Sequence, residues 1–274
     1  MLEYLFEIFA DRSRTTVKSM LAHRQVRING ECVTAFDHAL HVGDKLCVSS
    51  VGEQRENSRA KCRIVYEDDD LIVINKREGV LSVPTQTSKE MTAYNMMMSH
   101  VRHYGSNRRV FVLHRLDRST SGLMMFAKNE EVQHRMRDDW NHFIQERCYV
   151  AVVEGSVERD KGRIVSWLTE DARTLCMFSS NIDNGGQKAI TNYRVLRRGE
   201  CYSLVELELE TGRKNQIRVQ LAAMGHPVAG DKRYGAQTNP LQRVCLHACS
   251  LAFFHPVTGE LMTFRTGIPK AFLG

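Results

Sequence analysis

Hydrophobic positions in the first fifty residues recur first at helical spacing and then in alternation. A helix is indicated by the run Leu2, Leu5, Phe6 and Phe9. Ser13 precedes a second apolar stripe, so we expect it to cap a second helix. Asn29-Gly30 lies between two short alternating runs and predicts a hairpin, and residues 41–48 predict a further strand. Residues 1–52 therefore read as a small α+β unit with the order helix, helix, hairpin, strand.

The pattern changes after residues 53–61, which are polar, lack a hydrophobic period and are predicted to be a linker. In residues 62–274, strand-like runs dominate, and within the run 202–210 residues 205–210 alternate between apolar and polar. Helices are predicted from Thr92 to about residue 103, after Asn129 through residue 144, and over 215–224. Because these helices do not alternate regularly with strands, we predict an α+β fold with a mixed, mostly antiparallel sheet.

Composition adds modest constraints. The 274 residues are 42% hydrophobic and 26% charged, with a net charge of +6 and a pI near 8.9. No apolar run approaches the roughly 20 residues of a membrane helix, and the first residues lack a secretory signal, so we expect a cytoplasmic protein without membrane contact. Arginine and lysine are locally clustered, which is typical of a polyphosphate partner, although solvated surface charge is the alternative.

Eight cysteines occur, and none forms a CxxC pair. Cys245, His247 and Cys249 share one face of a predicted strand and are the one cluster that suggests a metal. A structural zinc site needs four ligands, so we predict reduced, buried thiols and no metal site.

The candidate chemistry centres on Asp117, which lies between Arg115 and Arg118 just before the apolar run 123–127. Neighbouring cations favour an ionised carboxylate, which can act as a nucleophile, a general base or an electrostatic partner. The alternative is a structural aspartate that caps a turn at 120–122 or pairs with arginine.

Two other side chains have both a functional and a structural interpretation. Arg218, on the predicted helix 215–224, suits a bidentate pair with a carboxylate or phosphate, or is a surface arginine. Tyr149, in an apolar strand, is either a core residue or a stacking ring in a pocket.

Five stretches in order resemble the RluA-type pseudouridine synthases. They are VINKREGVL (73–81), HRLDRSTSGLMMFAK (114–128), CYVAVVEG (148–155), TGRKNQIRVQL with GHPVAGDKRYG (211–235) and LHACSLAFFHP (247–256). The resemblance covers roughly residues 62–270. It implies a catalytic domain with a central RNA-binding cleft, acting as an RNA isomerase.

The resemblance assigns roles by position. It implies that Asp117 is the catalytic carboxylate, that Tyr149 lies on the uracil ring, and that Arg218 pairs with the aspartate. It implies that Arg115 enters the RNA stack when the uridine flips out. Further RNA contacts are expected from His114, Lys76, Arg213 and Lys214. Three positions depart from the family: Asn215 and Gln220 stand where histidines are common, and Arg77 stands where proline often follows the lysine.

The implied reaction detaches uridine at its ring nitrogen, rotates the base and re-attaches it through carbon five. Bonds broken and formed balance, so we expect no cofactor. The carboxylate has three open routes: attack on the anomeric carbon, attack on the uracil ring, or abstraction of the ribose 2′ proton. Ribosomal RNA is the favoured substrate, with transfer RNA as the alternative, and we expect a monomer.

Residues 2–50 resemble the small alpha-L RNA-binding module of ribosomal small-subunit proteins, carried by SRTTVKSMLAHRQVRINGECV and LHVGDKLCV. This resemblance implies phosphate contacts from Arg12, Arg14, Lys18 and Arg24. A module that only packs against the larger domain is the alternative. For the whole chain, the competing hypothesis is an RNA-binding or ribosome-assembly factor on a synthase scaffold.

Overall fold

The structure, a computed structural model, describes residues 1–22, 25–48, 61–85 and 90–273. The predicted linker at 53–61 and the predicted phosphate contact Arg24 lie outside the described residues, apart from Lys61. No helix in the described ranges is long and apolar enough to cross a membrane.

The N-terminal segment contains the predicted elements in the predicted order. They are α1 (Leu2–Ile8), α2 (Arg14–Ala22), β1 (Val26–Ile28), β2 (Glu31–Cys32) and β3 (Leu46–Val48). Ser13 Oγ accepts a hydrogen bond from the backbone N of Thr16 at 3.1 Å, which is the predicted N-cap. Asn29 and Gly30 have φ of 52° and 89°, and both positive values suit a two-residue hairpin turn. The strands form an antiparallel sheet in the order β2-β1-β3, and the helices and β1 share a small core.

Eleven strands form the second sheet. The elements after residue 61 are, in chain order, β4 (Cys62–Glu67), β5 (Leu71–Lys76), α3 (Ala93–His103), β6 (Phe111–Val112), β7 (Ser121–Ala127), α4 (Glu130–Asp138), α5 (Trp140–Phe143), β8 (Ile144–Glu154), β9 (Lys161–Glu170), β10 (Met177–Ser180), β11 (Gln187–Arg198), β12 (Tyr202–Leu209), α6 (Gln216–Ala223), β13 (Leu246–Phe254) and β14 (Leu261–Arg265). The helix predicted after Asn129 is interrupted, because α4 ends at Asp138 and Ile144 begins β8.

The sheet order is β10-β9-β11-β12-β8-β13-β7-β5-β4, with β14 beside β13 and β6 beside β7. Within the described part of the chain, the β13–β7 pair is parallel and the other pairs are antiparallel. The predicted α+β class with a mostly antiparallel sheet is therefore confirmed.

Strand β7 is buried along its whole length because both faces of the sheet are covered there. Leu123 and Met125 point into the core under α4 and α5, whereas Met124 and Phe126 point into the core under α3. The strand that follows the Asp117 loop is thus held on both sides.

Gly122 brings β7 against β13. Its φ is 117°, and a Cβ at this position would lie 2.2 Å from the Ala248 carbonyl oxygen. The turn predicted at residues 120–122 lies instead at Arg118-Ser119, because Ser121 and Gly122 are the first residues of β7. The close approach of the two strands explains why this position is a glycine.

Cys245, His247 and Cys249, the cluster that could have suggested a metal, make contacts within the protein. His247 lies 2.8 Å from both the Ser121 and the Thr266 hydroxyl oxygens, and both thiols are free and buried. Burial raises the pKa of each of these two thiols to about 11. They therefore behave as the predicted reduced core thiols.

Candidate active site

Asp117 lies on the loop between β6 and β7, and Lys76 holds that loop in place. The Lys76 ammonium donates to four carbonyl oxygens, those of Arg77, Val80, Asp117 and Thr120, at 3.1, 2.9, 3.2 and 2.6 Å. The cation at the end of β5 thus links the segment after β5, through Arg77 and Val80, to the loop between β6 and β7, through Asp117 and Thr120. This contact holds the backbone of Asp117 independently of the partners of its side chain.

The RNA contact expected for Lys76 is wrong in this structure. The side chain is 0% exposed, and its ammonium is enclosed by backbone carbonyls. Burial lowers the pKa of Lys76 to about 8. The lysine is a structural element of the site, and the sequence motif does not reveal this because its partners are backbone atoms.

The Asp117 carboxylate is 30% exposed and is oriented by two donors from one helix end. Its Oδ2 accepts hydrogen bonds from Asn215 Nδ2 at 2.6 Å and from Arg218 Nη1 at 3.2 Å. Asn215 has a φ of 52°, a left-handed conformation that asparagine tolerates better than most residues. The Tyr234 hydroxyl donates to Asn215 Oδ1 at 2.9 Å, which turns the amide nitrogen toward Asp117.

Arg218 is buried on α6, and contacts with Asp231 and Tyr234 hold its guanidinium beside Asp117. Its Nε and Nη2 donate to the two oxygens of Asp231 at 2.6 and 2.7 Å, and its guanidinium lies 4.9 Å from the Tyr234 ring centroid. Burial alone would lower the pKa of this guanidinium, but hydrogen bonds and charge interactions with Asp231 and Asp117 raise it. Arg218 is consequently a fixed cation whose free edge faces Asp117.

The arginines that flank Asp117 in sequence do not provide this cation. Arg118 turns away, donating to the Gly79 carbonyl and to Glu90 at 3.1 Å each. The charge beside Asp117 comes from Arg218, 101 residues further along the chain. The positive charge expected from the neighbouring Arg118 is therefore supplied by Arg218 instead.

A cleft of about 700 Å³ opens in front of Asp117 and receives Tyr149 from β8. Burial raises the pKa of Tyr149 to about 12, so the phenol is neutral at physiological pH. The cleft is also lined by the predicted residues His114, Arg115, Arg213 and Lys214. Asp117, Tyr149 and Arg218 all line a smaller cavity. The three residues of the predicted catalytic set therefore meet at one place.

The basic residues of the cleft differ in how they are held. Arg115 is exposed at the rim. Arg213 donates from Nε to the Lys188 carbonyl at 3.2 Å, and Lys214 is paired with Glu170. His114 Nε2 accepts a hydrogen bond from the backbone N of Met125 at 3.2 Å, and burial lowers its pKa to about 3. His114 is thus a neutral acceptor in the wall of the cleft.

Three other predicted RNA contacts lie in the N-terminal segment, away from this cleft. The Arg12 and Arg14 guanidinium groups lie over the rings of Phe9 and Phe6, at 5.8 and 5.3 Å from the centroids. Lys18 lines a separate cavity of about 240 Å³ between α2 and the β4–β5 turn.

Several residues that shape the site were not selected from the sequence. Asp231 and Tyr234 hold Arg218 and Asn215, and both belong to the GDKRYG stretch of the family resemblance. Asn215 was noted as a departure from the family, yet here it contacts Asp117 directly. Gln220, the other departure, is buried and bonds with Thr191 at 2.6 Å, so it stabilises the core.

Known proteins share this sequence and fold. The profile described as RNA pseudouridylate synthase matches residues 70–223, more than half of the chain. The uncharacterized RNA pseudouridine synthase YlyB of Bacillus subtilis (strain 168) is 34% identical over 95% of this chain and 87% of that protein. The ribosomal large subunit pseudouridine synthase D of Pasteurella multocida (strain Pm70) is 31% identical over 98% and 87%.

Among solved structures, human RNA pseudouridylate synthase domain containing 1 superimposes with a TM-score of 0.60 and 26% identity, covering 76% of this chain and 84% of that one. Human RNA pseudouridylate synthase domain containing 4 has a TM-score of 0.62 and 21% identity, over 77% and 90%. Because the family profile and relatives above 30% identity cover most of its length, the chain belongs to the RluA-type RNA pseudouridine synthases, isomerases that act on RNA.

Proposed function

We propose that this enzyme converts specific uridines of ribosomal RNA into pseudouridine, with Asp117 as the catalytic carboxylate acting on a uridine flipped into the cleft. The observation that carries the proposal is the Asp117–Arg218 pair, which lines one cavity together with Tyr149. The carboxylate is oriented by Arg218, is partly exposed and shares a cavity with an aromatic ring, an arrangement that suits a reacting nucleoside.

The chemistry needs little beyond these groups. The N1–C1′ bond breaks, the uracil rotates, and a C5–C1′ bond forms while the C5 proton is lost and N1 gains one. Asp117 can attack the anomeric carbon, attack the uracil ring or remove the 2′ proton. Flipping costs a few kcal/mol of lost stacking, which Tyr149 and Arg115 offset by stacking on the base and filling its place.

Ribosomal RNA is proposed as the substrate because relatives such as the Pasteurella protein are named as ribosomal large subunit pseudouridine synthases. Transfer RNA is the alternative. Mapping pseudouridines in ribosomal and transfer RNA from cells with and without the gene decides between them. A site lost only from transfer RNA would overturn the ribosomal assignment while leaving the enzyme class intact.

The role of Asp117 is tested by Asp117→Asn, which keeps the shape of the side chain and removes its charge. Tritium release from RNA labelled at carbon five of uridine should be abolished, because amide nitrogen and oxygen cannot replace the carboxylate. RNA binding should stay close to that of the wild type. Full isomerisation by the variant would refute the assignment of Asp117.

We further propose that residues 1–52 form an RNA-binding module that adds phosphate contacts through Arg12, Arg14, Lys18 and Arg24. The module also touches the larger part of the chain, since Thr16 Oγ1 donates to Asp69 Oδ2 at 2.9 Å. Replacing Arg12, Arg14 and Lys18 together by glutamine in the full chain should weaken binding and flatten its salt dependence, by about 0.7 to 0.9 in slope per lost contact. An unchanged slope would leave the module only a packing role.

A further inference from the structure

Arg147 is a cleft residue that the proposed chemistry does not use. It precedes Tyr149 by two positions on β8, so both side chains project from the same face of the strand, and both line the cleft in front of Asp117. The side chain packs tightly: its guanidinium carbon lies 5.9 Å from the Trp140 ring centroid. A Cβ built on Gly212 would come within 2.5 Å of Nη1, so a glycine leaves the room that this guanidinium occupies.

The hydrogen bonding of this guanidinium is incomplete. Arg147 Nη2 donates to the Leu209 carbonyl at 3.3 Å, whereas Nε is buried and has no hydrogen-bond partner. Among the described residues, no other buried side-chain nitrogen or oxygen lacks a hydrogen-bond partner. Burial lowers the pKa of Arg147, which reflects the loss of water without a compensating charge.

Arg115 and Arg213, which line the cleft with Arg147, are exposed to solvent, whereas the more buried arginines near Asp117 are paired with carboxylates. Arg218 is bound by Asp231 and Asp117, and Arg243 is bound by Glu78 at 2.8 Å. Glu210 lines the same cleft as Arg147, but both of its oxygens are taken by Arg163, at 2.8 and 2.9 Å. Within the described residues, no carboxylate lies in ion-pair distance of Arg147.

A half-buried cation with a buried, unpaired donor and no counter-charge is costly, and a ligand that supplies the missing charge would offset that cost. The ligand of this cleft is RNA, whose anionic group is the phosphodiester. We propose that Arg147 is a phosphate anchor: its guanidinium binds a phosphodiester of the flipped uridine or of the nucleotide next to it, while the uracil lies on Tyr149. This inference rests on the proposed function, since it takes the flipped uridine as the occupant of the cleft.

The test compares Arg147→Met, which keeps an unbranched stem, with Arg194→Met as a matched control. Arg194 is exposed on β11 and is paired with Glu206 at 2.7 Å, so its loss removes the same charge from the surface. Without RNA, Arg147→Met should melt at or above the wild-type temperature, because it removes a buried donor without a partner. A protein that melts well below the wild type would identify a structural arginine and overturn the proposal.

Binding is measured with a twelve-residue oligouridylate over a range of salt concentrations. Arg147→Met should bind about tenfold or more weakly than the control, because a hydrogen bond to a charged group is lost. Its salt dependence should be shallower by about 0.7, the slope of one phosphate contact on a single strand. Equal affinity and equal slope in the two variants would overturn the proposal.

A second probe separates phosphate from base. The wild type should bind uridine 5′-monophosphate more tightly than uridine, and Arg147→Met should lose most of that difference, whereas Arg147→Lys, which keeps the charge, should retain part of it. An undiminished preference for the monophosphate in Arg147→Met would show that Arg147 contacts the base or nothing. Tritium release by the wild type from a ribosomal RNA transcript runs in parallel, so failure of the enzyme proposal is seen separately from failure of the anchor.

Discussion

Replacing Lys76 with methionine separates the structural role of this lysine from the RNA contact that its sequence position suggested. Methionine keeps the unbranched stem of the side chain and removes the ammonium. Four carbonyl oxygens then lose their donor, among them those of Asp117 and Thr120 on the loop that carries the carboxylate. The change therefore removes the support of the loop that carries Asp117 and alters no residue that lines the cleft.

The size of the effect follows from the two fully buried bonds, to the carbonyls of Val80 and Thr120 at 2.9 and 2.6 Å. A buried acceptor left without a partner costs about 1–3 kcal/mol. Removal of a desolvated charge offsets part of this loss. We expect the free energy of unfolding to fall by about 2–4 kcal/mol, which is large for a single substitution.

Urea denaturation measures the stability, with Lys161→Met as the control because Lys161 is exposed on β9. Single-turnover tritium release, under conditions where the variant is folded, measures the chemical step. The released Asp117 loop should lower that rate by about 100-fold, as expected for a misplacement of roughly 1 Å. RNA affinity and its salt dependence should stay unchanged.

The opposite pattern would refute this reasoning. If Lys76→Met were as stable as Lys161→Met and the salt slope of RNA binding fell by one phosphate contact, Lys76 would reach RNA. The carbonyl contacts in the structure would then be incidental to the stability of the loop.

Three further predictions concern the strand contact, the carboxylate and pH. Gly122→Ala should destabilise the protein by at least about 2 kcal/mol in urea melts, because its Cβ would lie 2.2 Å from a backbone atom. The control Gly105→Ala should be neutral, because its Cβ would contact only side-chain atoms, at 3.5 Å. Similar losses of stability in both variants would contradict this reasoning. Asn215→Asp replaces the donor to Asp117 with a second negative charge, and single-turnover rates should fall about tenfold or more while the melting temperature changes little; an unchanged rate would argue against a positioning role. His114 has a pKa of about 3 in the folded protein, below the 6.5 of the unfolded chain, so its contribution to stability is present above pH 6.5 and is lost as pH falls toward 3. Between these values the free energy of unfolding of His114→Gln should therefore fall less steeply with decreasing pH than that of the wild type, by up to about 1.4 kcal/mol per pH unit. Parallel pH profiles of the two proteins would exclude the effect.

The sequence by itself determined the local elements of this protein. Hydrophobic period and capping residues predicted α2 behind Ser13, the hairpin at Asn29-Gly30 and β12 by alternation, because each depends on interactions within a few residues. Ordered motifs also identified the family and brought attention to Asp117, Tyr149 and Arg218. The class of the sheet followed from the absence of a regular alternation of helices and strands.

Tertiary structure alone decided which charges meet. Arg118 is adjacent to Asp117 in sequence but points to Glu90. The partner of Asp117 comes from α6, which follows Asp117 in the chain after six strands, β7 to β12. Lys76 reads as an exposed basic residue, yet the chain wraps four carbonyls around it. The physical reason is that periodicity indicates which face of an element is buried, whereas the identity of a long-range partner depends on how the elements pack against one another.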